Sequence, residues 1–169
     1  MKHAIAIVCL PKRFITQEEY EREKAELEKL QQEVFQTDGD PWAAMIHNSR
    51  LASRRKRCLS IIQRYETQTA APTLPMELHV VKIGDIAFAS NRFELFMDYM
   101  HRIQARSPFE QTFIIQLAAT PGMNGGTYLA TERAAANKGY SASLYCNQVS
   151  PEGGQKLVDE TVRILKDIH

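Results

Sequence analysis

The sequence predicts an α/β fold, with a mixed sheet of about four to five strands, packed helices and a long N-terminal helical hairpin. Three observations carry that prediction. A short run rich in Ile and Val, Ala4 to Leu10, reads as a strand. Two long helical patterns with clear start signals follow it. Beyond Met76 the pattern changes to short strands around Gly84-Asp85, followed by helix and strand segments in turn.

Each element has its own justification. Thr16 followed by Glu19 is a capping box, and Tyr20, Leu27, Leu30 and Val34 continue at helical spacing, which predicts a helix from Gln17 to Gln36. Thr37, Asp38 and Gly39 break it. Asp40 as N-cap and Pro41 as first helical residue start a second helix, to Tyr65. Residues 18–33 carry seven glutamates, whereas the second helix carries Arg50, Arg54, Arg55, Lys56, Arg57 and Arg64. Antiparallel packing of the pair sets an acidic face beside a basic one. The polar, alanine-rich stretch Thr67 to Pro75 predicts a linker. Met76 to Ile83 and Ile86 to Ala89 then read as strands joined at Gly84-Asp85. Phe93, Phe96, Met97, Met100 and Ile103 predict one helix face ending near Arg106 and Pro108. Thr112 to Ala119 reads as a buried strand, and the Gly-rich segment Pro121 to Gly126 opens a long irregular stretch. Ser150 and Pro151 start a last helix with the stripe Leu157, Val158, Val162, Leu165 and Ile168.

Composition narrows the function classes. The 169 residues are 44% hydrophobic and 24% charged, enough apolar surface for a folded core. No stretch is long and apolar enough to span a bilayer. The net charge of +1 gives no global field toward nucleic acid, and no nucleic-acid partner is expected. Cys9, Cys58 and Cys146 lack any CxxC or Cys/His spacing, so they predict neither a disulfide framework nor a metal knuckle. Ala4 to Leu10 is too short for a signal peptide and has no small-residue cleavage site.

Among residues that could carry chemistry, the arginines from Arg50 to Arg57 are read as the solvated face of a helix, since no aromatic platform or phosphate loop accompanies them. The five histidines, His3, His47, His79, His101 and His169, show neither HxH nor HExxH spacing. Ser107, Ser141 and Ser143 lie in no nucleophile elbow. Two places are stronger. Glu94 sits at a strand-to-helix junction, where open sheets place ligand groups, although with Asn91 as N-cap it would simply complete a capping arrangement. Tyr128 follows the glycine-rich approach Gly125-Gly126-Thr127; the alternative for it is an aromatic plugging the core.

The motifs Ile83-Gly-Asp-Ile-Ala-Phe-Ala-Ser-Asn-Arg-Phe-Glu-Leu-Phe-Met-Asp-Tyr, Arg106-Ser-Pro-Phe, Gln111-Thr-Phe-Ile-Ile-Gln-Leu-Ala, Tyr128-Leu-Ala-Thr-Glu-Arg-Ala, Gly139-Tyr-Ser-Ala and Pro151-Glu-Gly-Gly-Gln occur in one order. Together they resemble the C-terminal part of the neutral ceramidase-like hydrolases, over roughly Met76 to Ile168. That family holds one zinc with two histidines from its N-terminal half and a glutamate and a tyrosine from its C-terminal half. The resemblance therefore implies Glu94 and Tyr128 as metal ligands, with Tyr128 also catalytic. Two residues depart from the pattern: Ala130 stands where the family has proline, and Arg92 is bulkier than the residues of the family's glutamate turn. Both bear on substrate choice more than on metal binding.

The resemblance further implies that the chain is one domain, the C-terminal fragment of a larger hydrolase, with the hairpin spanning 17–65 and the family-like part 76–169. Its implied partners are the N-terminal half of that hydrolase and an N-acyl amide such as a ceramide-like lipid. Zinc is expected in the complete parent, which family members often export, and not in this chain alone, where amide hydrolysis is expected to be lost. Apolar surface left by the missing half would allow self-association. The alternative is a non-catalytic α/β module that docks a protein or anionic partner through the basic helix.

Overall fold

The computed structural model describes residues 1–118, 127–137 and 139–169. The fold is α/β, and the chain divides into two compact units, Met1–Arg13 with Pro72–His169, and Phe14–Ala71. The expected glycine-rich segment Pro121 to Gly126 lies outside the described residues, as does Ala119; the buried strand expected from Thr112 to Ala119 ends at Ile115, and Phe113 and Ile115 on it are exposed.

The first unit is built on a four-stranded mixed sheet in the order β1-β2-β3-β5. Strand β1 (Lys2–Pro11) pairs antiparallel with β2 (Thr73–Ile83), from Lys2 opposite Lys82 to Pro11 opposite Thr73. The strand thus begins inside the expected linker, because Leu74 and Pro75 pair with Leu10 and Cys9. Gly84, at φ +60, turns β2 into β3 (Ile86–Ser90). Residues there need a left-handed backbone, which glycine adopts without steric cost. Strand β3 runs parallel to β5 (Gln111–Ile115), and the crossover between them contains β4 (Glu94–Leu95) and helix α3 (Met97–Gln104). After β5 come β6 (Tyr128–Leu129) and a short helix, Glu132–Ala136. A 3₁₀ turn at Tyr140–Ala142 and the C-terminal helix, Pro151–Ile168, complete the unit.

The C-terminal helix follows its expected stripe, burying Leu157, Val158, Val162 and Leu165, with Gly153 and Gly154 buried in its first turn. With Tyr99 and Ile103 of α3 these side chains cover Val8, Leu10, Met76, Leu78, Val80, Ala87 and Ala89 on one face of the sheet. The helix expected to begin at Phe93 begins only at Met97. Asn91 is not its N-cap: its side-chain oxygen accepts the Phe93 amide (3.0 Å) and holds the chain extended. Leu95 N donates to the Gln116 side chain (2.7 Å). Phe93 and Leu95 are therefore buried by strand alternation, while Met97, expected on the buried stripe, is exposed.

The second unit is the helical hairpin, α1 (Gln17–Gln32) and α2 (Pro41–Thr67). The capping box at Thr16 and Glu19 and the Asp40 cap are present, as the sequence predicts. Helix α1 stops at Gln32 instead of Gln36. Arg55 reaches over from α2 and donates to the carbonyls of Leu30 and Glu33, satisfying orphan acceptors at the helix end. Leu27, Leu30, Leu51 and Cys58 form the small core between the helices.

Candidate functional site

Strands β4 and β6 are only two residues each, and their pairing decides the geometry. They run parallel, with Glu94 opposite Tyr128 and Leu95 opposite Leu129. The ladder bonds are Glu94 N to Thr127 O (3.2 Å) and Phe96 N to Leu129 O (3.3 Å). Opposed residues on paired strands project their side chains to the same face. The two residues implied as metal ligands are thus brought side by side. Neither alternative applies: Glu94 caps no helix, and Tyr128 is partly exposed instead of filling the core.

The Glu94 carboxylate is the acceptor toward which the Tyr128 phenol is drawn. That interaction, ahead of desolvation and the nearby negative charge, raises the phenol above the ordinary tyrosine value. Tyr128 therefore holds its proton more firmly than a free phenol does.

The strand carrying Tyr128 is anchored from below. Leu129 and Ala130 are buried, Ala130 N donates to the Asn147 side chain (2.9 Å), and Tyr99 donates its hydroxyl to Ala130 O (3.0 Å). Asn147 donates in turn to Ser141 O (2.6 Å). Alanine at position 130 thus has a structural consequence. Proline there would have no N–H to give Asn147. Arg92 is buried just ahead of β4, at 8% exposure.

One residue that residue chemistry alone did not single out joins the pair. Tyr140 lies edge-on to Tyr128, ring centroids 6.1 Å apart, and edge-on to Tyr145 at 6.0 Å. Such T-shaped pairs fix ring orientation. Its signal in the sequence was its place in the Gly139-Tyr-Ser-Ala motif.

Two oxygen donors fit two of the four positions around a tetrahedral zinc. Among the described residues, no group of three or more His, Cys, Asp or Glu side chains is arranged to hold a metal ion. His3 and His79 instead hydrogen-bond to each other (3.0 Å), and His79 to Glu77 (2.7 Å), on β1 and β2. In the hairpin, Arg54 pairs with Glu26 and Arg55 serves the end of α1, so these two arginines of the basic cluster are engaged within their own unit. Comparison with protein-family models, with curated proteins and with solved structures finds no match.

Proposed function

We propose that this chain supplies the glutamate and tyrosine half of a zinc-dependent amidohydrolase resembling neutral ceramidase, acting on an N-acyl amide such as a ceramide-like lipid. The observation that supports this reading is the adjacency of Glu94 and Tyr128 across β4 and β6, two residues singled out separately from distant motifs. Zinc, when bound, lowers the pKa of a coordinated water toward neutrality and polarises the amide carbonyl. The chain's own residues do the rest of what is assigned here. Glu94 offers a carboxylate oxygen as ligand and, in its absence, holds the phenolic proton of Tyr128. Tyr128 offers its oxygen as ligand or its hydrogen to the oxyanion that develops on the carbonyl. Tyr140 orients the Tyr128 ring by edge contact.

On this reading two histidine ligands come from the N-terminal half of the hydrolase, and two oxygen ligands by themselves bind zinc weakly. The test titrates zinc into the chain alone and into the chain mixed with a histidine-bearing N-terminal half of a neutral ceramidase-like hydrolase. Tight zinc and N-acyl amide hydrolysis are expected only in the mixture, and Glu94→Gln or Tyr128→Phe should remove both while leaving the circular-dichroism spectrum unchanged. Stoichiometric zinc with hydrolysis by the chain alone would overturn the half-site reading. Full activity of the substituted mixtures would overturn the assignment of the two residues.

A further inference from the structure

The loop end of the hairpin collects apolar side chains that its own core does not use. Val34 is 83% exposed, Trp42 65%, and Phe35 and Met45 49% each. They are not loose ends. The Asn48 side chain grips Gln36 by both its backbone N–H (2.8 Å) and its C=O (2.9 Å). The Arg55 guanidinium that closes α1 also packs over the Phe35 ring at 5.2 Å. The loop is thus pinned to α2 in a conformation that keeps these side chains in solvent. Beside Val34 and Phe35 lies an open depression of about 530 Å³, lined also by Asp38, Asp40 and Ala43.

Size and charge select the occupant. Four side chains of this kind expose on the order of a few hundred Å², well below the ~800 Å² per partner of a stable protein interface. A lipid surface, by contrast, is engaged by a few interfacial aromatics set in a patch. The sequence from Leu30 to Ser49, between Lys29 and Arg50, contains Glu33, Asp38 and Asp40 and no lysine or arginine, and Arg55 reaches the loop end at Glu33 O and the Phe35 ring. An anionic bilayer is therefore disfavoured. Carboxylates and the Phe35 ring on one depression, with Asp40 two residues ahead of Trp42 in the sequence, suit a quaternary ammonium, which binds to aromatic faces and to negative charge.

We propose that this end of the hairpin docks on a bilayer of choline lipid, with Val34, Phe35 and Trp42 at headgroup depth and Asp38 and Asp40 facing the choline ammonium. The inference stands apart from the hydrolase reading, since it concerns the other unit and none of its residues. The chain reports on it directly, because Trp42 is its one tryptophan. With the full chain and phosphatidylcholine vesicles, Trp42 emission should shift to the blue and saturate. Val34→Ser with Phe35→Ser should raise the apparent lipid Kd by about tenfold or more. Phosphatidylglycerol vesicles should bind more weakly, and Asp38→Asn should narrow that difference. These substitutions are at exposed positions, so unchanged circular dichroism is expected throughout. The proposal is overturned by an unshifted emission at millimolar phosphatidylcholine, by tighter binding to phosphatidylglycerol, or by a doubly substituted loop that binds as before.

Discussion

Tyr99 ties the candidate site to the core at the level of a single residue. Its ring is 1% exposed and its hydroxyl donates to Ala130 O, two residues beyond Tyr128. Burial, opposed in part by Arg102, pushes the phenol up to about 12 from its ordinary 10. Because the folded state holds this proton more tightly, its contribution is complete below pH 10. As pH rises from 10 toward 12 the unfolded phenol ionises first and stability is lost, by roughly 2–3 kcal/mol over the window. Cys58, raised to about 11 chiefly by burial in the hairpin, acts with the same sign. Tyr99→Phe should cost about 1 kcal/mol at neutral pH, the value of one hydrogen bond, and should flatten the alkaline loss. Urea unfolding of both proteins at pH 7, 10 and 11.5 measures this. Parallel curves for the two would show that Tyr99 is not the group responsible.

Between elements, the paired glycines of the C-terminal helix allow a close approach to β1 and α3. A Cβ on Gly153 would lie 2.6 Å from Pro11 O in β1 and would collide with the Val149 side chain. One on Gly154 would run into the Tyr99 ring, 2.8 Å from its Cε1. Alanine at a helical position is worth about 1 kcal/mol over glycine, whereas overpacking of a tight core costs about 1–3 kcal/mol. The clash at 153 is with backbone and cannot be relieved by a rotamer. Gly153→Ala should therefore lower the unfolding midpoint, read by thermal melts, and a midpoint equal to or above the parent's would remove close packing as the reason for these glycines. The same elements show what was legible beforehand. The stripe of the C-terminal helix and the caps at Thr16, Asp40 and Ser150 are local patterns, and the structure follows them. Strand β4 was not legible, because Phe93, Phe96, Met97 and Met100 fit a helical period, while Asn91 and the distant Gln116, Thr127 and Leu129 hold the segment extended. Glu94 and Tyr128 were singled out by the expected strand-to-helix junction and the glycine-rich approach, and joined by the order of motifs, while their register across two-residue strands lies in tertiary pairing that no local pattern encodes.

At the scale of the whole molecule, the sheet is covered on one face and open on the other. Ile5 and Ile7 on β1 are 58% and 63% exposed, and Phe113 and Ile115 on β5 are 42% and 43% exposed. Phe88 stacks on Phe113, centroids 5.1 Å apart, which joins β3 to this surface. Strand β1 is also an edge, so open backbone groups border the apolar face. A surface of this kind is rare on a chain that stays alone in solution. The purified chain should therefore self-associate with rising concentration in sedimentation experiments and bind an apolar dye. Ile7→Lys with Phe113→Lys should shift it to monomer, with stability changed by no more than about 0.5 kcal/mol per site, since neither side chain belongs to the core. If the histidine-bearing half proposed as partner covers this face, adding it should dissociate the oligomer of the unsubstituted chain, and the lysine pair should weaken complementation. A chain monomeric at every concentration would argue that the open face drives no association. Dissociation on mixing, together with restored zinc binding, would place the cover of the sheet and the completion of the site in the same partner.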